Sequence, residues 1–430
     1  MKSGFVLAMI LSLAVLGASA GHAQAPSRIT LKEAESIALA NHPRLQAAQL
    51  SALAAGQEVT QARSAYFPMA FGSMTGAGAL DRSRFAAGGL NNPIIFDRYA
   101  DGFMASQLIT DFGRTGNLVA STRLRAQAKN ADTITTRADV LLQVDRAYYA
   151  ELRATSVLRV AQETVADRQL VVDQVTALAK SKLKSDLDVS FANVNLAEAK
   201  LILVQVENDL KAAGARLTAS LGFNDERDYD LADEPLPAAP LPDLPQAVAQ
   251  ALRDRPELAS RRLQRDSAER FAKAEKDLWR PSVSVLGGAG IVPIHDSNLL
   301  NRFAGVGLNI NIPVFNGHLF SALSTEARFN FQSEAQNVRD LEDTIARDVR
   351  LAWMNADTAF QRLGLTQQLL DQASLALDLA QARYKLGLGS IVELSQAQLN
   401  KTQAEIEQAS AKYEYQTQRA VFAYEIGALR

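Results

Sequence analysis

The sequence predicts an α+β membrane protein made from two copies of one unit, each a pair of strands followed by a long α-helical hairpin. Three observations predict it. First, the chain repeats itself: residues 31–45 return, loosely, as residues 244–258, and one 213-residue interval separates Pro43 from Pro256 and Pro68 from Pro281. A second echo, 205 positions apart, sets Ser185-Asp186-Leu187-Asp188-Val189 against Ser390-Ile391-Val392-Glu393-Leu394. Duplication in that order means two copies of one architectural unit rather than two unrelated domains. Second, no proline lies between Pro93 and Pro235 and none follows Pro313. Both stretches are rich in Ala, Leu, Gln, Glu and Arg, which favour helix, and lack the residue that breaks it. Third, the segments ahead of these stretches alternate with the period of strands.

Residues 1–25 read as a secretory signal. Lys2 supplies the positive end and Phe5 to Leu16 the apolar stretch. Ala18-Ser19-Ala20 or Ala23-Gln24-Ala25 supplies a small-residue cleavage site. The apolar stretch is short for a bilayer span. No run of 18 or more apolar residues follows, so no helix is expected to cross a membrane. Cysteine is absent, which excludes disulfides, thiolate metal sites and an N-terminal lipidated cysteine. A net charge of -2 is too balanced to suggest a nucleic-acid partner. The four histidines, His22, His42, His295 and His318, are scattered. No metal and no cofactor is predicted.

The first unit is expected over residues 26–223, as a helix, two strands and a coiled-coil hairpin. Its strands fall at residues 68–80 and 101–112, around a longer loop holding Asn91-Asn92-Pro93. Its first rod runs over residues 114–180, turns near Lys182-Leu183-Lys184-Ser185 without glycine, and returns to Leu221 ahead of Gly222. A Pro-rich linker over residues 224–243 follows. The stretch 233–245 reads as an extended strap joining the units.

The second unit occupies residues 244–430. Residues 281–288 and 305–313 alternate as strands, with His295-Asp296-Ser297-Asn298 as the turn between them. Tyr66, Phe67, Phe112, Trp279 and Phe315 mark strand ends, where rings sit at a membrane interface. A helix over residues 318–386 carries a stripe of Leu341, Ile345, Val349, Ala352, Ala356, Ala359, Leu363, Thr366, Leu370, Ala373, Leu377, Ala380 and Tyr384. Its steps of four and three are the coiled-coil repeat. At 1.5 Å per residue the rod is about 100 Å long. Lys385-Leu386-Gly387-Leu388-Gly389-Ser390 turns it, and a second helix runs on to Ala428. A membrane-spanning sheet must close on itself, and the smallest single-chain barrels have eight strands. Four strands per chain therefore require several copies to pool them.

Residues 382–398, running Ala-Arg-Tyr-Lys-Leu-Gly-Leu-Gly-Ser-Ile-Val-Glu-Leu-Ser-Gln-Ala-Gln, resemble the TolC family of outer-membrane efflux channels. Residues 31–45, 108–114 and 187–192 are similar to that family's first-copy landmarks, so the resemblance spans the whole mature chain. It implies a homotrimer with a 12-stranded β-barrel in the outer membrane of a Gram-negative bacterium, continued into the periplasm by a 12-helix α-barrel. It also implies a periplasmic adaptor (membrane fusion) protein docking on the tips, at Lys182, Leu183, Lys184, Ser185, Gly387, Leu388, Gly389 and Ser390. An inner-membrane pump or ABC transporter would lie beneath, and outer-membrane lipid would surround the barrel. A periplasmic gate is implied at Asp188, Tyr384, Glu393 and Gln396. Glu393 matches one acidic ring position, while Gln396 replaces a second. Tyr384 matches a tyrosine tied to the acidic residue after the first tip, here Asp188. Gly389 stands where the family's best-known member has an arginine, and Lys182 where the family commonly has glycine. Without the resemblance, Asp188 and Glu393 read as solvated helix charges and Tyr384 as part of the apolar stripe.

The function implied is a passive conduit of a tripartite efflux or type I secretion system, with drug, metal and protein substrates all open. No Ser/His/Asp arrangement, phosphate loop or metal-spaced cluster points to an enzyme. The competing reading is a soluble periplasmic coiled-coil scaffold.

Overall fold

The computed structural model describes residues 28–77, 86–87, 90–91, 98–225, 227–236, 241–292 and 300–429. The signal segment, the turn at 295–298 and most of the loop around Asn92 lie outside them. The chain begins with β1 (Arg28–Ile29), α1 (Leu31–Asn41) and α2 (Pro43–Arg63), then a one-turn 3-10 helix, Ser64–Tyr66. β2 (Met69–Ala77), two-residue β3 (Ala86–Ala87) and β4 (Leu90–Asn91), and β5 (Arg98–Thr110) lead to α3 (Arg114–Lys180) and α4 (Asp186–Ser220). After β6 (Asp230–Leu231) the pattern returns as α5 (Leu244–Asp254), α6 (Pro256–Lys276) and a 3-10 turn at Asp277–Trp279. β7 (Ser282–Ile291), β8 (Arg302–Asn311), α7 (Leu319–Lys385) and α8 (Ile391–Glu425) complete it.

Corresponding helices have equal lengths in the two halves: 11, 21, 67 and 35 residues. Two helices, not one, precede each strand pair. Pro43 and Pro256 push the residue before them out of the helical region, and His42 and Arg255 are both extended. His42 turns this break into a cap, its Nδ1 accepting from the Arg44 amide at 3.2 Å. Thr30 and Glu33 close a capping box on α1.

The linker and strap between the units depart from expectation at two places. Leu244 and Pro245, read as extended, open α5, because proline in the first helical turn gives up no intrahelical hydrogen bond. Asp230–Leu231 pairs in parallel with Arg28–Ile29. The buried Tyr148 hydroxyl clasps that pair, 2.9 Å from the Ile29 carbonyl and 2.6 Å from that of Ala232.

The apolar stripe of α7 is the packed face. Ile345, Val349, Ala352, Ala356, Ala359, Thr366, Ala373, Leu377, Ala380 and Tyr384 are buried; Leu341, Leu363 and Leu370 are half-buried. α3 packs along α4 and α7 along α8, and α3 also lies against α8, joining the two hairpins. Among the described residues α4 alone is long and apolar enough to cross a bilayer. Its exposed Leu187, Phe191, Val194, Leu201 and Val204 recur at coiled-coil spacing, and Glu198 and Lys200 interrupt them. That is the pattern of a helix with an unpaired seam.

The main sheet is antiparallel in the order β2-β5-β7-β8, so the β5–β7 pairing binds one unit to the other. β2 and β8 each keep one unpaired edge. Across β7–β8, Val283 faces Ile310 and Val285 faces Leu308, while Ser282 and Ser284 on the other side face Asn311 and Asn309. At this end of the pair one face is thus apolar and the other polar, while Leu286 and Phe303 lie further along the second face; Val306 on the first face is 84% exposed.

An acidic knot lies under α1. Asp145 of α3 is 3% exposed and its Oδ1 has no hydrogen-bond partner among the described residues. Glu35 of α1 and Glu234 add like charge beside it. Burial, then the charge of Glu35, pushes the Asp145 carboxyl well above the usual range. Burial likewise raises Glu35. The folded state therefore holds a proton that the unfolded chain, with carboxyl values near about 4, has already released. Stability falls as pH rises from about 4 through neutrality. Asp145→Asn is expected to stabilise the fold at pH 8, by an amount on the order of 3 kcal/mol, and far less at pH 5. Melting curves across that range check it, and a pH-independent difference refutes it.

Candidate functional site at the hairpin tips

The two tips are built on one plan. Lys182 and Gly387 hold the left-handed positions of their turns, at φ 58° and 73°. Glycine does this without cost, whereas a side chain costs about 1–2 kcal/mol, so the first tip keeps the turn under strain. Ser185 and Ser390 then cap the return helices, their Oγ atoms accepting from the amides of Asp188 at 3.2 Å and Glu393 at 3.1 Å. At the first tip the box is complete, with Asp188 Oδ2 accepting from Ser185 N at 3.0 Å and Oγ at 2.9 Å.

Asp188 is therefore engaged within its own turn. The resemblance implied a bond between it and Tyr384, but among the described residues of this chain the buried Tyr384 hydroxyl has no hydrogen-bond partner. Burial, and secondarily the charge of Asp188, raises the phenol above its usual value, which keeps it neutral. The contact made instead comes from Lys184, whose Nζ lies 3.9 Å from the Tyr384 ring centroid and 3.5 Å from its carbonyl oxygen. A cation on the first tip thus covers the ring at the end of the second rod.

Glu393 forms an exposed ion pair, Oε1 accepting from Arg383 Nε at 3.0 Å. Arg383 also donates to the Leu388 carbonyl at 3.2 Å, so one guanidinium braces the second tip from rod to turn. A Cβ on Gly389 would stand 3.1 Å from Glu393 Oε2 and 3.3 Å from Arg383 Cβ; the glycine makes room for the brace. Gln396 faces solvent, its Nε2 donating to Asn400 Oδ1 at 2.9 Å. Leu183, Leu386 and Leu388 project from the turns, each at least 68% exposed.

Behind the turns, Val175, Leu377, Ala380, Tyr384, Ile391, Leu394 and Ala397 form one core across both hairpins. Asn195 donates to Ser395 at 2.6 Å between α4 and α8. Above lies a cleft of about 310 Å³ between α3, α7 and α8, where the buried Arg168 donates to Gln398. Arg383, Lys184 and Arg168 act across turns or between hairpins, which spacing along the chain does not show. The local signal the sequence did carry was Ser-x-x-Asp and Ser-x-x-Glu, a helix-start signature at both tips.

The family profile described as outer membrane efflux protein matches residues 35–223 and 247–423. The outer membrane protein TolC of Salmonella enteritidis is 23% identical over 430 aligned positions, covering 93% of this chain and 83% of that one. The CmeC outer membrane channel of Campylobacter jejuni superposes with a TM-score of 0.81 at 18% identity, over 98% of this chain and 94% of that one. The open-state MtrE outer membrane channel of Neisseria gonorrhoeae gives 0.78 at 18%, over 93% and 89%.

Proposed function

The chain belongs to the outer membrane efflux protein family, and from that premise we propose that three copies close into one conduit, whose tips an adaptor and an inner-membrane pump engage. As a family member it is an outer-membrane efflux channel. The finer reading is the assembly. One observation carries it: the sheet has four strands, an apolar face and two unpaired edges. Hydrocarbon does not tolerate an open edge, since each unsatisfied backbone group costs several kcal/mol there. Pairing β2 of one copy with β8 of the next removes every edge, and three copies give twelve strands.

The helices support the same arrangement. The exposed seam of α4 and the outward Leu351, Met354, Leu365, Leu375 and Leu379 of α7 lie on helices that do not pack together within the chain. They meet when neighbouring copies are placed side by side, and α4 owes its apolarity to that seam rather than to lipid. The tips then gather at the far end of rods about 100 Å long, where the exposed Leu183, Leu386 and Leu388 suit docking by an adaptor of an efflux or type I secretion complex.

Absence of native cysteine makes the assembly directly testable. Ser73→Cys in β2, combined in turn with cysteine at Gly305, Gly307 or Asn309 on the same face of β8, is expected to yield covalent dimers and trimers in outer membranes. The untagged protein should extract only with detergent. Monomers in buffer, with no cross-link in any pair, overturn the channel assembly in favour of a soluble scaffold.

A further inference from the structure

At the root of the sheet, where α2 passes into β2, a cleft of about 490 Å³ opens between α2 and the first turns of α3. Arg63 and Arg123 flank it, with Tyr66, Phe67 and Gly116 in its walls. Gly116 leaves room for the Tyr66 ring, whose hydroxyl would stand 3.7 Å from a Cβ added there. Both arginines are exposed, and neither has an ion-pair partner among the described residues. The carboxylates bonded at this level are engaged elsewhere. Asp111 accepts from Gly113 and Thr115, Asp277 pairs with Arg280 and accepts from Asn117, and Glu275 pairs with Arg114.

The same residue order returns in the second unit. The 213-residue offset carries Arg63 and Tyr66 onto Lys276 and Trp279, and the 205-residue offset carries Arg123 onto Arg328. Lys276 and Arg328 are exposed as well and lack an ion pair among the described residues, while Trp279 packs edge-on to Phe320 at 5.6 Å. Each half thus carries a cation closing its 21-residue helix, a ring three residues on and a second cation in the third turn of its 67-residue helix, although the residue types differ. Phe67, Phe112 and Phe315 lie exposed at the same strand ends, as rings do at the level of lipid headgroups. Uncompensated cations beside such rings suit an ester phosphate whose acyl chains lie along the apolar strand face.

We propose that Arg63–Tyr66–Arg123 and Lys276–Trp279–Arg328 are two phospholipid sites per chain, each seating the headgroup phosphate of an anionic lipid of the periplasmic leaflet. This rests on the channel reading, which sets the strands in the membrane and the rods in the periplasm. Lipid held there ties the root of the barrel to the leaflet it leaves.

The test is native mass spectrometry of the detergent-purified full-length protein, titrated with phosphatidylglycerol, phosphatidylethanolamine and inorganic phosphate. The wild type should retain phosphatidylglycerol in preference to phosphatidylethanolamine, and millimolar phosphate should not displace it. Arg63→Gln/Arg123→Gln and Lys276→Gln/Arg328→Gln should each weaken retention about fivefold per cation removed. The corresponding arginine-to-lysine variants should retain it. Equal binding of the two lipids by the wild type, unchanged retention in both double variants, or displacement by free phosphate would overturn the proposal. Oligomer mass is read in the same spectra: a wild type that is not a detergent-bound trimer refutes the channel reading, whereas trimers indifferent to lipid charge refute only the lipid sites.

Discussion

Gly290→Val is expected to eliminate folded trimers from the outer membrane, and Gly290→Ala to reduce them severely. A Cβ built on Gly290 would stand 2.3 Å from the Asp101 carbonyl oxygen, 2.8 Å from Gly102 Cα and 2.7 Å from the Phe303 ring. The first two are backbone atoms of β5, held in register by Asp101↔Ile291 and Gly102↔Gly290. They cannot retreat without parting the two strands that join the halves of the chain. Phe303 shares this constraint, since its ring also lies against Gly102 and Gly288, one ring covering three glycines where side chains would otherwise leave a gap. Ordinary overpacking costs about 1–3 kcal/mol because side chains adjust; here the backbone must move, and in the proposed barrel the cost would fall on a sheet that has to close. Gly307→Ala on neighbouring β8 is the control, with nothing within 4 Å of its added carbon. Trimer bands on unheated gels of outer membranes read the outcome. Wild-type trimer levels for Gly290→Val would show that β5 and β7 do not lie together as described.

What the sequence disclosed and what it hid divide along physical lines. The rods were legible because helix propensity, missing proline and a seam such as Ile345-Val349-Ala352-Ala356-Ala359 are local and repeat over many turns. The strands were legible where β8 alternates, and less so in the first unit, where β5 begins at Arg98, ahead of the alternating residues. The β1–β6 pair was illegible: two residues each carry no periodicity, and their clasp is a tyrosine more than 80 positions away. At the tips, the resemblance pointed to a bond from Asp188 to Tyr384. Within the single chain Asp188 takes the nearer partner, because Ser185 offers it two hydrogen bonds three residues away at no cost in chain closure. Lys184, meanwhile, is held to Tyr384 only because the folded rods bring together residues 200 positions apart.

That substitution of contacts changes what holds the tips together, and Lys184→Ala is expected to open the periplasmic end. The ammonium lies 3.9 Å over the Tyr384 ring, in the half-desolvated setting where a cation–π contact contributes about 1 kcal/mol. In the proposed trimer threefold symmetry would multiply it: about 3 kcal/mol over three copies would shift the ratio of open to closed channels about a hundredfold. Tyr384→Phe should be nearly silent, because the hydroxyl it removes makes no hydrogen bond among the described residues and the ring face remains. Tyr384→Leu should behave like Lys184→Ala. Glu393→Gln addresses a separate property. Its pair with Arg383 is exposed on both sides and so contributes little stability, but in the proposed trimer three such carboxylates would surround one entrance and concentrate negative potential there. Its removal should lower cation preference with little change in opening. Conductance of single channels in planar bilayers separates all four variants. Should Tyr384→Phe open the channel while Lys184→Ala leaves it closed, the phenol is bonded in the assembled trimer, and Asp188 rather than Lys184 is the residue that closes it.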